Sequence, residues 1–271
     1  MVITRQILSN GSGPDLMKLQ EAEAAIAAFE RSPVPGVWPF LDKAMLITEM
    51  RQRLQHPTAV CQGGQPFCGP ASVLFELVRK QPQRYVEICQ TLFLTGGFQG
   101  KNSFIAASDQ LRRDSYGNLR MSQADWMVLA TLRDVENILF PVDPDAPELI
   151  RSLAGMTKSW EMKGWIQEIL GYSNVDYHHA YLLNDLSAMK AAEQAIQQGG
   201  VAFALITAEA LLEDKPPKIP FPSHWIALLG NLAIEPDSIG FNLYTWSKQM
   251  RLEVDIPTFR KYFWATVTAT P

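Results

Sequence analysis

Hydrophobic positions follow two regimes along the chain. From Leu16 to about Gln198 they recur three and four residues apart, the spacing of one helix face; after Gly200 they form short continuous or alternating runs, the pattern of strands. The first regime predicts helices from Leu16 to Phe29, Leu41 to Leu54 and Cys68 to about Lys80. A fourth runs from Pro82 through Tyr85, Ile88, Leu92 and Phe93 to a stop at Gly96-Gly97. Ser32-Pro-Val-Pro-Gly36 and His56-Pro57 separate these helices. Ser122 caps a long segment to about Leu139, with Asp125 in its first turn. Thr157 caps a helix through Trp165 to Leu170 that closes at Gly171, and Asp185 or Ser187 opens another that closes at Gly199-Gly200. Residues 1–15, with Asn10-Gly-Ser-Gly-Pro14, read as a loose tail, and Asp143 to Pro147 as a loop.

Val201-Ala-Phe-Ala-Leu-Ile206 is a continuous apolar run, right for a buried strand. After a polar, proline-rich loop from Glu213 to Pro222, four more strands are predicted: Trp225 to Leu229, Ile239 to Trp246, Met250 to Val254 and Phe263 to Val267. Helices followed by strands predict an α+β fold with an antiparallel sheet. The expected organisation is an N-terminal helical extension over 1–59 and one compact domain over 60–271, without internal repeats.

Composition narrows the function. The 271 residues are 47% hydrophobic and 19% charged, enough to bury a real core. A net charge of −4, with no Lys/Arg cluster, argues against a nucleic-acid partner. No run approaches the length of a membrane span, and Met-Val-Ile-Thr-Arg-Gln at the start is too polar for a signal peptide, so synthesis in a reducing cytoplasm is expected. Cys61, Cys68 and Cys89 are odd in number and lack metal spacing; neither a disulfide framework nor a zinc site, and no organic cofactor, is expected.

The chemistry centres on Gln62-Gly-Gly-Gln-Pro-Phe-Cys68-Gly-Pro-Ala-Ser-Val-Leu. Two glycines and a proline forbid helix before Cys68, while Pro70 suits a first helical turn. Cys68 is therefore expected at a helix N-terminus, where unsatisfied N–H groups and the macrodipole favour a thiolate. Gln62, six residues earlier, carries an amide that can donate to a developing oxyanion, and Gln65 competes for that role. Cys61 reads as packing and Cys89 as core. Of four histidines, His224 begins an apolar strand directly after an exposed loop, which suits a base at a cleft edge. His178 and His179 read as a surface turn, and His56 as a helix end.

Gln-x5-Cys-Gly-Pro-Ala followed by an apolar helix resembles the nucleophile segment of papain-like (clan CA) cysteine peptidases, closest in form to bacteriocin-processing peptidases and papain-fold toxin domains. Ala124-Asp-Trp-Met127 and Leu132-Arg-Asp134 are also similar to such toxin domains in bacterial effectors. The resemblance implies a papain-like fold, with the nucleophile on the helical part and the base on the sheet. It implies peptide-bond hydrolysis by Cys68 and His224, with Gln62 and the Cys68 N–H as oxyanion donors. The ring of His224 would be oriented from the next strand, by Asn242, eighteen residues on, with Trp246 as shield. The family commonly places its Trp two residues after the orienting group, which would favour Tyr244; Thr245, Ser247 and Asp237 also remain open, as does a dyad. A protein or peptide substrate is the expected partner. The toxin likeness adds export by a specialised route and an immunity protein. The same residues would serve a transglutaminase-like acyltransferase, a deamidase or a peptidoglycan amidase, and a non-catalytic binding module is the alternative outside enzymes.

Overall fold

The computed structural model describes residues 3–8, 15–136, 159–179 and 186–271. The expected tail at Asn10 to Pro14, the loop at Asp143 to Pro147, and the caps Thr157 and Asp185 lie outside them. Nine strands occur among the described residues: β1 (Ile3–Ile7), β2 (Gly97–Gln99), β3 (Phe104–Ala106), β4 (Asn174–His179), β5 (Val201–Ile206), β6 (His224–Ile234), β7 (Ser238–Thr245), β8 (Lys248–Asp255) and β9 (Phe263–Thr270). With helices filling most of the first half, the chain is α+β.

Contacts divide it into two compact units, one of Ser12–Met156 with Glu168–Gly171, the other of Met1–Gly11, Thr157–Gln167 and Tyr172–Pro271. This differs from the expected division at residue 59. Helices Leu16–Arg31 and Lys43–Gln55 are part of the unit that also contains residues 60–136, because their inner faces are buried in it: Phe29 meets Phe93 edge-on at 5.9 Å, Leu46, Ile47, Met50 and Leu54 are buried, and Arg53 forms an ion pair with Asp125.

In the helical unit, Asp15, Asp42 and Ser108 cap their helices by accepting the N–H groups of Met17, Met45 and Leu111. Helix Cys68–Lys80 is buried all round from Cys68 to Val78, which explains an apolar pattern wider than one stripe. Helix Pro82–Thr95 stops where expected, at Gly96 in the left-handed region with φ 81°.

The other unit is built on a seven-stranded antiparallel sheet ordered β1-β8-β7-β6-β5-β9-β4. Helix Ser187–Gln197 places Ala188, Met189 and Ala192 in one core with Ala202, Ala204, Ile206, Ile226 and Leu228 of β5 and β6. Two sequence expectations are corrected here. Residues 3–7, read as tail, are an edge strand with Ile3 opposite Val254. His178 and His179, read as a turn, end β4 at the other edge, where they pair with Thr266 and Ala265. Both strands pair with partners far away in sequence, which local pattern does not reveal. No helix among the described residues is long and apolar enough to cross a membrane.

Candidate active site

The candidate residues fall into two groups, one in each unit. In the helical unit, Gln62-Gly-Gly-Gln65 forms a tight turn closed by Gln65 N–H donating to the Gln62 carbonyl at 2.8 Å. Gly63 and Gly64 have φ 56° and 72°, the left-handed pair that a type I′ turn demands. A Cβ on Gly63 would also lie 2.4 Å from the Arg120 carbonyl oxygen. The Gln62 side-chain amide donates to the Gln65 carbonyl at 3.1 Å, and that carbonyl also accepts from Phe67 N–H at 2.8 Å. The chain then turns at Phe67 into the helix that Cys68 begins.

Phe67 offers no side-chain cap, and the helix has no acidic residue of its own in the first turn. Cys68 is 8% exposed. The hydroxyl of Ser72 donates to its carbonyl at 2.9 Å. The Phe67 ring packs against Trp126 at 5.9 Å, and the Trp126 indole N–H is held by Ser115 Oγ at 2.8 Å, which fixes the approach to the helix. Gln65, the competing oxyanion donor, is buried.

The other two cysteines differ from Cys68, and none of the three forms a disulfide. Cys89 is fully buried inside helix Pro82–Thr95, where burial pushes its thiol pKa up and disfavours the thiolate. Cys61 is half-buried, and its sulfur accepts the Gly63 N–H at 3.3 Å.

In the sheet unit, His224 is the first residue of β6 and only 5% exposed. Its Nε2 lies 2.6 Å from Oγ1 of Thr245, and its ring meets that of Trp246 at 5.0 Å with a 39° tilt. Burial pushes the imidazole pKa down to about 4. Trp246 and Ser247 form the two-residue turn between β7 and β8, both at positive φ (47° and 59°). That conformation is costly for side-chain-bearing residues and characteristic of constrained sites. The loop entering β6 is also pinned: Thr207 Oγ1 donates to the Phe221 carbonyl at 2.7 Å, and Ser223 N–H donates to the Ile206 carbonyl at 2.9 Å.

Asn242, expected to orient the ring, does not meet it. Its side-chain oxygen accepts from Arg251 at 3.4 Å, and its residue pairs with Gly230. Register explains the correction. Leu228 stands opposite Leu243, so His224, Ile226 and Leu228 share a sheet face with Leu243 and Thr245. Asn242 and Tyr244 alternate to other positions. Thr245, one of the open alternatives, is the residue at the imidazole, and Trp246 covers it as expected.

A further group escaped the sequence reading. Asp125, fully buried near the start of helix Gln123–Glu136, accepts the backbone N–H of Cys61 at 2.9 Å and pairs with Arg53 at 2.7 Å. Asp125 read as part of a helix start and of the toxin-like stretch Ala124-Asp-Trp-Met127, with no role of its own, and nothing in the pattern of helix Lys43–Gln55 marked Arg53. Among the described residues, no cluster of three or more His, Cys, Asp or Glu side chains could hold a metal. Compared with protein-family models and with curated proteins, the sequence finds no match.

Proposed function

We propose that the chain is a papain-like cysteine hydrolase in which Cys68 is the nucleophile and His224 the base. The observation that carries this reading is the environment of His224. A strand-initial imidazole is fixed through Nε2 by a hydroxyl at 2.6 Å and covered by an indole held in a strained turn. Packing alone does not call for that combination. Nδ1 is then the nitrogen for proton exchange. Cys68 supports the reading from its side, at the N-terminus of a helix whose own first turn has no acidic residue and behind a turn that carries Gln62.

In this scheme the Cys68 thiolate attacks the carbonyl carbon of a peptide bond. Gln62 Nε2 and the Cys68 N–H hold the oxyanion. The His224 imidazolium gives its proton to the leaving amine, and the acyl-thioester remains on Cys68. His224, now neutral, takes a proton from water, whose oxygen attacks the thioester and releases the acid and the thiol group. Thr245 holds the ring orientation in place of the expected amide or carboxylate. The same groups serve amide hydrolysis on a side chain or transfer to an amine, which differ only in donor and acceptor.

One observation favours a second reading, a non-catalytic module with a structural histidine: His224 is almost wholly buried. A peptide library incubated with wild type and with Cys68→Ala separates the two. The hydrolase reading expects new termini with wild type alone and a trapped acyl adduct on Cys68 by mass spectrometry. Cleavage that persists in Cys68→Ala, or no cleavage and no adduct with wild type, contradicts it.

A further inference from the structure

The buried charge pair behind the Gln62 loop serves no purpose in the scheme above, yet it touches that loop. Asp125 Oδ2 takes three donors: Arg53 Nη2 at 2.7 Å, Arg53 Nε at 3.2 Å and Cys61 N–H at 2.9 Å; Arg53 Nε also reaches Oδ1 at 3.0 Å. Arg53 Nη2 reaches Ser122 Oγ as well, at 2.8 Å, and Ser122 Oγ accepts the Asp125 N–H at 3.2 Å. Both side chains are nearly inaccessible, at 6% and 0%. Burial opposes the Arg53 charge, but the hydrogen bonds and negative charge of Asp125 more than offset it, so its pKa stands above the ordinary value. One residue before Asp125, the Ala124 N–H donates to Glu49 at 2.8 Å.

A buried ion pair is a poor source of stability, because apolar residues of similar volume often replace it at no cost; its attested use is to specify one arrangement. Here the arrangement specified is that of the chain entering the Gln62 turn. Cys61 is the residue before Gln62, so a single peptide unit separates the anchored N–H from the Gln62 backbone. The turn is fixed downstream by the Gln62–Gln65 bonds and upstream by Asp125.

We propose that Asp125, held by Arg53, is a positioning residue for the oxyanion donor Gln62. The proposal rests on the hydrolase reading. Gln62 is useful only if its amide sits within hydrogen-bond reach of where the oxyanion forms, and donors displaced from that point lose most of their effect. With the Cys61 anchor released, the loop keeps its glycine turn but no longer has a fixed origin, and the thiol is unaffected.

The test compares two double variants without an unpaired buried charge. Arg53→Met/Asp125→Asn keeps an oxygen acceptor for Cys61 N–H; Arg53→Met/Asp125→Leu removes it, with Asp125→Ala replacing Leu if that protein does not fold. Each is assayed with iodoacetamide, which needs only the thiolate. Each is also assayed with the tightest member of a peptide-aldehyde panel chosen on wild type, whose hemithioacetal needs the oxyanion donors. The expected result is Cys68 alkylation within about twofold of wild type in both variants, and aldehyde affinity ~10- to 100-fold weaker in the Leu variant than in the Asn variant. Equal aldehyde affinity in the two variants overturns the proposal, as does parallel loss of both reactions with the melting temperature. If wild type binds no aldehyde of the panel, the hydrolase reading itself falls, and the proposal with it.

Discussion

The contact between His224 Nε2 and Thr245 Oγ1 can run either way, and its direction selects the tautomer. With Nε2–H donating to the hydroxyl, Nδ1 keeps its lone pair and can accept the thiol proton. Thr245→Val removes the acceptor while nearly preserving shape. We expect kcat to fall about 10-fold, with KM little changed, because the loss concerns ring orientation, whereas Asn242→Ala should stay within about twofold of wild type. A steady-state comparison of the two variants checks this; a larger effect at Asn242 would restore it as the orienting residue. Gln62→Ala is expected to lower kcat by ~10²-fold, the scale of one oxyanion donor. At this scale Cys68, Gln62 and His224 could be chosen from residue type and local pattern, because glycine, proline and an apolar run mark a loop-to-helix or loop-to-strand junction. Thr245 could only be one of several candidates, since its contact with His224 depends on a cross-strand register that the sequence does not display.

Among the elements, the Gln62–Gln65 turn makes the sharpest demand on its residues. Gly64 has positive φ but open space around it, so Gly64→Ala should cost about 1 kcal/mol from the left-handed backbone alone. Gly63→Ala adds a collision with the Arg120 carbonyl to the same strain and should be clearly more destabilising. Thermal melts of the two variants, with equal losses as the contrary result, decide the point. This turn was legible because two glycines announce it. The turn between β7 and β8 was not, since Trp246-Ser247 lacks the Asn, Asp or Gly that its conformation favours. The long helices were legible for a simpler reason: their periodicity and stops, such as Gly96, are local; the short helices Asp109–Asp114, Ala208–Leu211 and Ile256–Tyr262 hold too few turns to show a period. β1 and β4 were not, because their partners β8 and β9 lie far along the chain. The interruptions of the β6–β7 register after Leu228 and around Gly230 likewise leave only one glycine as a trace.

For the whole molecule, the depressed pKa of His224 couples protonation of this ring to stability. Where burial alone acts on the ring, as in Cys68→Ala, a folded-state value of about 4 lies below the unfolded value of about 6.5, so the unfolded chain takes up the proton first as pH falls. Stability from this group is fully present above about pH 6.5 and is lost progressively down to about pH 4, by an amount on the order of 3 kcal/mol. Denaturation of Cys68→Ala with and without His224→Gln, between pH 4 and 7, isolates this contribution, because contributions common to both, such as the raised carboxyl pKa of half-buried Glu49, cancel in the difference. A difference that does not change with pH would contradict it. The same depression sets a requirement on the proposed chemistry. Burial alone leaves the imidazole neutral at pH 7, and an imidazolium suited to protonate a leaving amine needs an anion to offset that burial. The Cys68 thiolate is the anion that the proposed pair supplies. An NMR titration of the His224 ring in wild type and in Cys68→Ala therefore tests the pairing most directly. The account predicts titration near pH 4 in the variant and a ring that stays protonated to markedly higher pH in wild type; identical titration curves in the two proteins would contradict it.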